Sequence, residues 1–308
     1  NGVTFFSSGN LTSTGSQNIV LTAQGIPTTG DLITFGFDLV ATCSFTLPVG
    51  GIVAAGSTFT TFSNGTANFS TNSTCTTSNI SAGHNSNSCT GTVNGASTTY
   101  NLVLINGQCW MKENLKETPT LPCADAINTG CNTWNATSVT SDFGYWGYYN
   151  ISNSTGSAGW SSTETITNGG LIYQWSAAMN GETTERARGV CPIGFHIPSD
   201  CEWMYLEHGL GMSISDQQAT GARASGSVGI KISNVVTGGT NSSGFTALLA
   251  GNRNTTGNFA NHNAVGVYWT STTSSTNSFR RFFQSTYSGS NRGATVRHST
   301  ASVRCLKD

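Results

Sequence analysis

Pro198-Ser-Asp-Cys-Glu-Trp-Met-Tyr-Leu-Glu207 reads as a helix start. Ser199 stands three residues before Glu202, the spacing of a capping box, in which each side chain takes up an orphan backbone N–H of the other. Trp203 and Leu206, one turn apart, mark an apolar face, and Gly209 and Gly211 are read as the stop. A second helix is expected over 172–180, Ile-Tyr-Gln-Trp-Ser-Ala-Ala-Met-Asn, with large apolar residues at 172, 175 and 179 and Gly181 behind it. A third, short one is expected over 215–223. The surrounding chain reads as short strands separated by Gly, Asn and Ser loops. A few short helices among many strands give an α+β fold, not a parallel α/β sheet.

Toward the N-terminus the pattern is all strand. Stretches 3–6, 18–22, 32–40 and 43–49 are rich in β-branched and aromatic residues, with turn residues such as Gly15 and Gly25-Ile-Pro-Thr-Thr-Gly30 between them. Four short strands are half of an immunoglobulin-like sandwich, which takes about seven strands and about 100 residues. The incomplete sandwich at 1–49 leaves a sheet edge and an apolar face for something else to cover. Residues 50–101 are nearly free of charge, anchored by Val53, Phe59, Phe62, Phe69, Ile80 and Val93. They read as a Ser/Thr/Asn-rich spacer with short strands, or as an insertion packed on the next domain. The third region, 102–308, holds the tryptophans, beginning with Trp110, and all four Met.

The chain has 308 residues, which at roughly 150 per domain allows two domains, or one large and one small. It is 36% hydrophobic and only 9% charged, against about 25% charged in an average soluble domain. Thirteen basic and fourteen acidic residues leave no basic stripe to neutralise phosphates, which excludes a nucleic-acid binder. No window approaches the apolar length of a membrane-spanning helix. The start at Asn1, without Met or leader, is read as a mature or trimmed end.

Nine cysteines with long, irregular spacings and no Cys-x-x-Cys point to structural disulfides in an extracellular or cell-surface protein. Short intervening loops suggest Cys75–Cys89 and Cys123–Cys131 as pairs. The odd count leaves at least one thiol free, or bonded to another chain or to a missing segment.

Six blocks in order carry a family resemblance: Val103-Leu-Ile-Asn-Gly-Gln-Cys-Trp-Met-Lys-Glu-Asn-Leu115, Gly170-Leu-Ile-Tyr-Gln-Trp-Ser-Ala-Ala178, Arg188-Gly-Val-Cys-Pro-Ile-Gly-Phe-His-Ile-Pro-Ser-Asp-Cys-Glu-Trp203, Ser243-Gly-Phe-Thr-Ala-Leu-Leu-Ala-Gly-Asn-Arg253, Tyr268-Trp-Thr-Ser-Thr272 and Ser302-Val-Arg-Cys-Leu-Lys-Asp308. Together they resemble the Fibrobacter succinogenes major paralogous domain family of bacterial surface and secreted proteins, over about 102–308. The last blocks look in turn like the C-type lectin-like fold of formylglycine-generating-enzyme relatives. That resemblance implies a core disulfide between Cys191 and Cys305. The N-terminal piece is similar to β-repeats that precede such domains in Bacteroidetes-type surface proteins.

A formylglycine-generating oxidase needs two thiolates to hold copper(I), and between Arg253 and Asp308 only Cys305 is present. The chain is therefore expected to be no enzyme and to carry no cofactor. The Glu-Pro-Asn, Gln-Pro-Asp and Trp-Asn-Asp runs of calcium-dependent lectins are absent too. A calcium-free aromatic and amide site remains as a candidate at Asn261, His262, Asn263, Trp269, Arg280 and Arg281. The plainer and preferred account makes Trp269 core and the asparagines turn residues. His84, His196, His208, His262 and His298 have no ligand spacing, so no metal is expected. The arginines of the C-terminal half are read as hydrogen-bonding to loop carbonyls and scattered carboxylates. Asn-x-Ser/Thr sequons at Asn10, Asn64, Asn68, Asn72, Asn79 and Asn135 are glycosylation candidates, although a chain this rich in Asn, Ser and Thr produces them by chance.

Two functions of different class fit these readings. The first is a structural subunit of an extracellular filament or surface assembly, joined into a homo-oligomer by strand addition. The second is a lectin-like adhesin that binds a glycan or protein through its loops. The incomplete sandwich and the odd cysteine favour the first.

Overall fold

The Ser199 hydroxyl accepts from Glu202 N (3.1 Å) and the Glu202 carboxylate accepts from Ser199 N (2.8 Å), so both halves of the capping box are present. The helix they start runs Asp200–Gly209. Every residue from Asp200 to Glu207 is buried, so this helix is central rather than amphipathic, and its three carboxylates need partners inside the protein. Gly209 does not stop it. A Cβ there would lie 2.3 Å from the Asn106 side chain, whose Nδ2 donates to Tyr205 O (2.9 Å). The glycine lets a turn press against the helix end, and the chain leaves the helix at Gly211, whose φ is +95°.

The structure is a computed structural model that describes residues 80–121, 141–151 and 159–308, Cys75, and the strand backbones at 3–6, 22–25, 33–37 and 43–47. In chain order the N-terminal strands are β1 (Val3–Phe6), β2 (Thr22–Gly25), β3 (Ile33–Phe37) and β4 (Cys43–Leu47). Then come β5 (Thr92–Asn94), β6 (Thr99–Ile105), β7 (Gln108–Met111), β8 (Trp146–Tyr148), β9 (Leu171–Tyr173), α1 (Trp175–Ala178), β10 (Phe195–His196) and the capped helix α2 (Asp200–Gly209). The remainder comprises α3 (Ile214–Gln218), β11 (Gly221–Arg223), α4 (Val228–Ile232), β12 (Asn252–Arg253), β13 (Phe259–Ala260), β14 (Val265–Ser274), β15 (Asn277–Gln284), β16 (Ser290–Val296) and β17 (Leu306–Lys307). Strands predominate and the helices are few and short, an α+β arrangement. Among the described residues no helix is long and apolar enough to cross a membrane.

Two antiparallel sheets organise the C-terminal body. One has the order β10-β17-β7-β6-β5 and the other β11-β16-β15-β14. Strand β14 separates two apolar clusters because its side chains alternate. Val267 and Trp269 join Tyr173, Trp175 and the Cys191–Cys305 pair, while Tyr268 joins Trp110, Trp203, Phe245 and Phe283. The second cluster is aromatic at its centre, with the Trp110 and Trp203 rings 5.0 Å apart. The first sheet begins at Thr92, inside the stretch read as spacer, and Cys89 is bonded to Cys109 on β7.

Several expectations change. The helix expected over 172–180 is a strand, β9, followed by one turn, α1. Leu171, Ile172 and Tyr173 are all buried, and a short apolar run covered on every side has no periodicity to tell strand from helix. The helix expected over 215–223 ends at Gln218, and its tail becomes β11, paired with β16. Cys75 is bonded to Cys201 and not to Cys89, because α2 brings Cys201 to it across 126 residues of sequence. Cys191 is bonded to Cys305, the pair that the family resemblance implied. Cys123–Cys131 and the six candidate sequons lie outside the described residues. Of the half-sandwich, the described backbone shows two separate antiparallel hairpins, β1–β2 and β3–β4.

Candidate functional site

Buried carboxylates mark either chemistry or architecture, and α2 carries three of them. Asp200 receives Arg292 Nη2 (2.6 Å) and also pairs with Arg281. Glu207 accepts from Arg281 Nε (2.9 Å), from Arg223 Nη1 (2.8 Å) and from the Ser290 hydroxyl (2.6 Å). Burial pushes both carboxyls up, but Arg281 and Arg292 around Asp200, and Arg223 and Arg281 around Glu207, outweigh it and hold both below the usual carboxylate range. Glu202 is enclosed likewise by His196 Nε2 (3.0 Å), Arg186 Nε (3.0 Å) and the backbone N of Ser81 (2.7 Å). Each carboxylate is met by two basic side chains, and the Asp200 and Glu207 pairs form a cross-brace between α2, β11, β15 and β16.

The six residues proposed as a binding site are divided among three environments. Trp269 is fully buried and its Nε1 donates to Tyr173 O (2.8 Å), and Arg281 belongs to the brace. His262 and Asn263 line a cleft of about 590 Å³ with Leu248 and Thr165, the His262 ring lying 5.6 Å from that of Tyr149. Burial lowers the His262 pKa. Asn261 and Arg280 line a different cleft, of about 430 Å³, between the β12–β13 hairpin and the sheet. Asn261 (φ +66°) and Asn263 (φ +61°) both take left-handed backbone, the turn role expected of them. So adjacent residues in sequence, 280 and 281 or 261 and 262, face different spaces.

The 430 Å³ cleft has a floor of Val265, Val267 and Phe282 and a rim that includes Asn252, Thr295 and Ser299. None of these stands out in the sequence. The usable signal is the alternation of β15, which puts Ser278, Arg280 and Phe282 on one face and Phe279, Arg281 and Phe283 on the other. Elsewhere the arginines do what was expected of them. Arg304 donates to Asn114 Oδ1 (2.7 Å) and Phe245 O (2.7 Å), Arg253 to Gly257 O (2.7 Å) and Arg297 to the Ser278 hydroxyl (2.9 Å). Among the described residues no three His, Cys, Asp or Glu side chains come together as a metal site.

Architecture and site together define a disulfide-stapled α+β body, braced by buried ion pairs and bearing open clefts at its surface. The chain belongs to the Fibrobacter succinogenes major domain family, whose model matches residues 103–307. No curated protein and no solved structure matches the chain.

Proposed function

We propose that this chain is a non-catalytic subunit of an extracellular assembly whose N-terminal hairpins pair with strands of a neighbouring copy. One observation carries the reading: β1–β2 and β3–β4 are each two-stranded, and among the described residues no further strand pairs with either. A lone two-stranded hairpin is marginally stable in water, and its outer edges present unpaired N–H and C=O groups. A strand from a second copy satisfies both needs, and contact between non-identical surfaces extends into a filament when the rotation does not close. Three disulfides among the described residues support an oxidising compartment. A C-type lectin-like body is supported by the link from Cys191, ahead of the main helix, to Cys305, at the last strand.

The full chain is expected to form uniform fibres by negative-stain microscopy and large species by light scattering. The same chain lacking residues 1–49 should remain monomeric while keeping the thermal transition of the body. Polymerisation of the truncated chain at the same concentration would reject strand addition by this segment.

A further inference from the structure

We propose that the cleft between the β12–β13 hairpin and the β14–β15–β16 sheet face binds a saccharide through a carboxylate, with Arg280 as its counter-charge. Such binding does not depend on assembly. Among the described residues, Arg280 is the only charged residue lining this cleft of about 430 Å³, a volume within the ordinary range for small-ligand sites. Its guanidinium lies 5.1 Å from the centre of the Phe282 ring, and among the described residues it has no hydrogen-bond or ion-pair partner. Its neighbour in sequence, Arg281, is saturated by Asp200 and Glu207. Burial lowers the Arg280 pKa, and among the described residues no carboxylate counters it. None of the Arg280 nitrogens is sealed off from solvent, so its donors stand open to the cleft, where its planar fork matches a carboxylate in two-point contact.

Gly293 is the second feature that points to a ligand. It stands directly opposite Arg280 in the β15–β16 register, in the interior of β16. Glycine weakens a strand interior and there often marks close approach by a ligand or another backbone. The Gly293 φ lies outside the left-handed region, so the backbone does not demand glycine, and a Cβ built there meets nothing within 4 Å. The missing side chain therefore leaves open space on the sheet face that Arg280 shares as its cross-strand neighbour, which a Val or Thr at this position would occupy.

The remaining lining decides the ligand class. Asn252, Asn254, Asn261, Thr295 and Ser299 bring amides and hydroxyls, which both donate and accept, to the rim. Asn261 Nδ2 donates to Asn252 Oδ1 (2.8 Å), which occupies that acceptor and leaves the Asn252 amide nitrogen to donate. Vicinal hydroxyls of a sugar suit such a rim, its C–H face suits the apolar floor at Val265, and a uronic acid adds the single negative charge that balances Arg280.

Calorimetric titration of the full chain with trigalacturonate, a glucuronate trimer, the neutral trisaccharide maltotriose and an acetylated tripeptide with a free C-terminal carboxylate tests the assignment. At least one uronate trimer should bind, and maltotriose should bind at least about tenfold more weakly, since a charge-assisted hydrogen bond is worth about that factor. Arg280→Gln should weaken uronate binding by a similar factor. Gly293→Val should abolish it with an unchanged or raised melting temperature, which separates occlusion of the cleft from loss of the fold. Absence of binding by both uronates, equal binding of maltotriose, preference for the peptide, or uronate binding retained in folded Gly293→Val protein would each overturn the proposal.

Discussion

His196 sits between two carboxylates, with Nδ1 2.7 Å from Asp308 Oδ1 and Nε2 3.0 Å from Glu202 Oε2. Only a doubly protonated imidazole donates to both, so the pair of contacts favours the cation. Burial by itself, and Arg186 nearby, lower the pKa, but the Glu202 charge and the hydrogen bonds to Glu202 and Asp308 outweigh them and leave it raised. A raised histidine contributes stability in full below the unfolded value of about 6.5 and loses it as pH rises through the higher folded value. His84, His208, His262 and His298 have the opposite sign, each lowered chiefly by burial, so the pH profile of the whole protein mixes the two. The difference between wild type and His196→Gln isolates the effect. That stability difference, from urea unfolding, should be largest below about pH 6.5 and should shrink as pH rises above it. A gap that is constant or widens with pH would show that His196 is held neutral.

Helix α2 depends on its first turn. Ser199 is fully buried, and its hydroxyl is the acceptor for Glu202 N. Ser199→Ala is expected to cost about 1–2 kcal/mol, the upper part of the range for N-cap loss, because water cannot reach the orphaned donor. Ser199→Asp, which keeps an acceptor, should recover much of it in the same unfolding midpoints unless its charge meets Glu202 too closely. Equal losses in both variants would mean that packing at this position, not the cap, sets the stability. This cap is legible in the sequence because Ser and Glu three apart carry their own mechanism. The change from strand to helix between Tyr173 and Trp175 is not, since burial on all sides erases periodicity. The Cys75–Cys201 connection is equally hidden, because the two residues meet only once α2 is placed. Of the candidate site, Asn261 and Arg280 do share a cleft, but Trp269 and Arg281 do not, and the distinction lies in strand alternation. Gly293 gives no sign in the sequence, where an isolated glycine among 37 has no meaning until its cross-strand neighbour is known.

At the scale of the molecule, few charges and many loops place unusual weight on covalent links. The Cys191–Cys305 link spans 114 residues and the Cys89–Cys109 link spans 20. A cross-link stabilises chiefly by restricting the unfolded chain, and the longer loop restricts more, by about 1.5 kcal/mol for this ratio of lengths. The Cys75–Cys201 link does not shorten the loop between 191 and 305, since it joins a residue inside that loop to one outside it. Replacing Cys191 and Cys305 together by Ser should therefore cost about 2–5 kcal/mol, and more than replacing Cys89 and Cys109. Packing reinforces the order: Cys191 and Cys305 lie in the cluster with Tyr173, Trp175 and Trp269, so two hydroxyls there also meet an apolar interior. Denaturation of the two double variants under non-reducing conditions measures both costs. A smaller loss for Cys191/Cys305 than for Cys89/Cys109 would mean that the long link is not what holds the last strand to the body, and that β17 is retained by its hydrogen bonds to β7 and β10 alone.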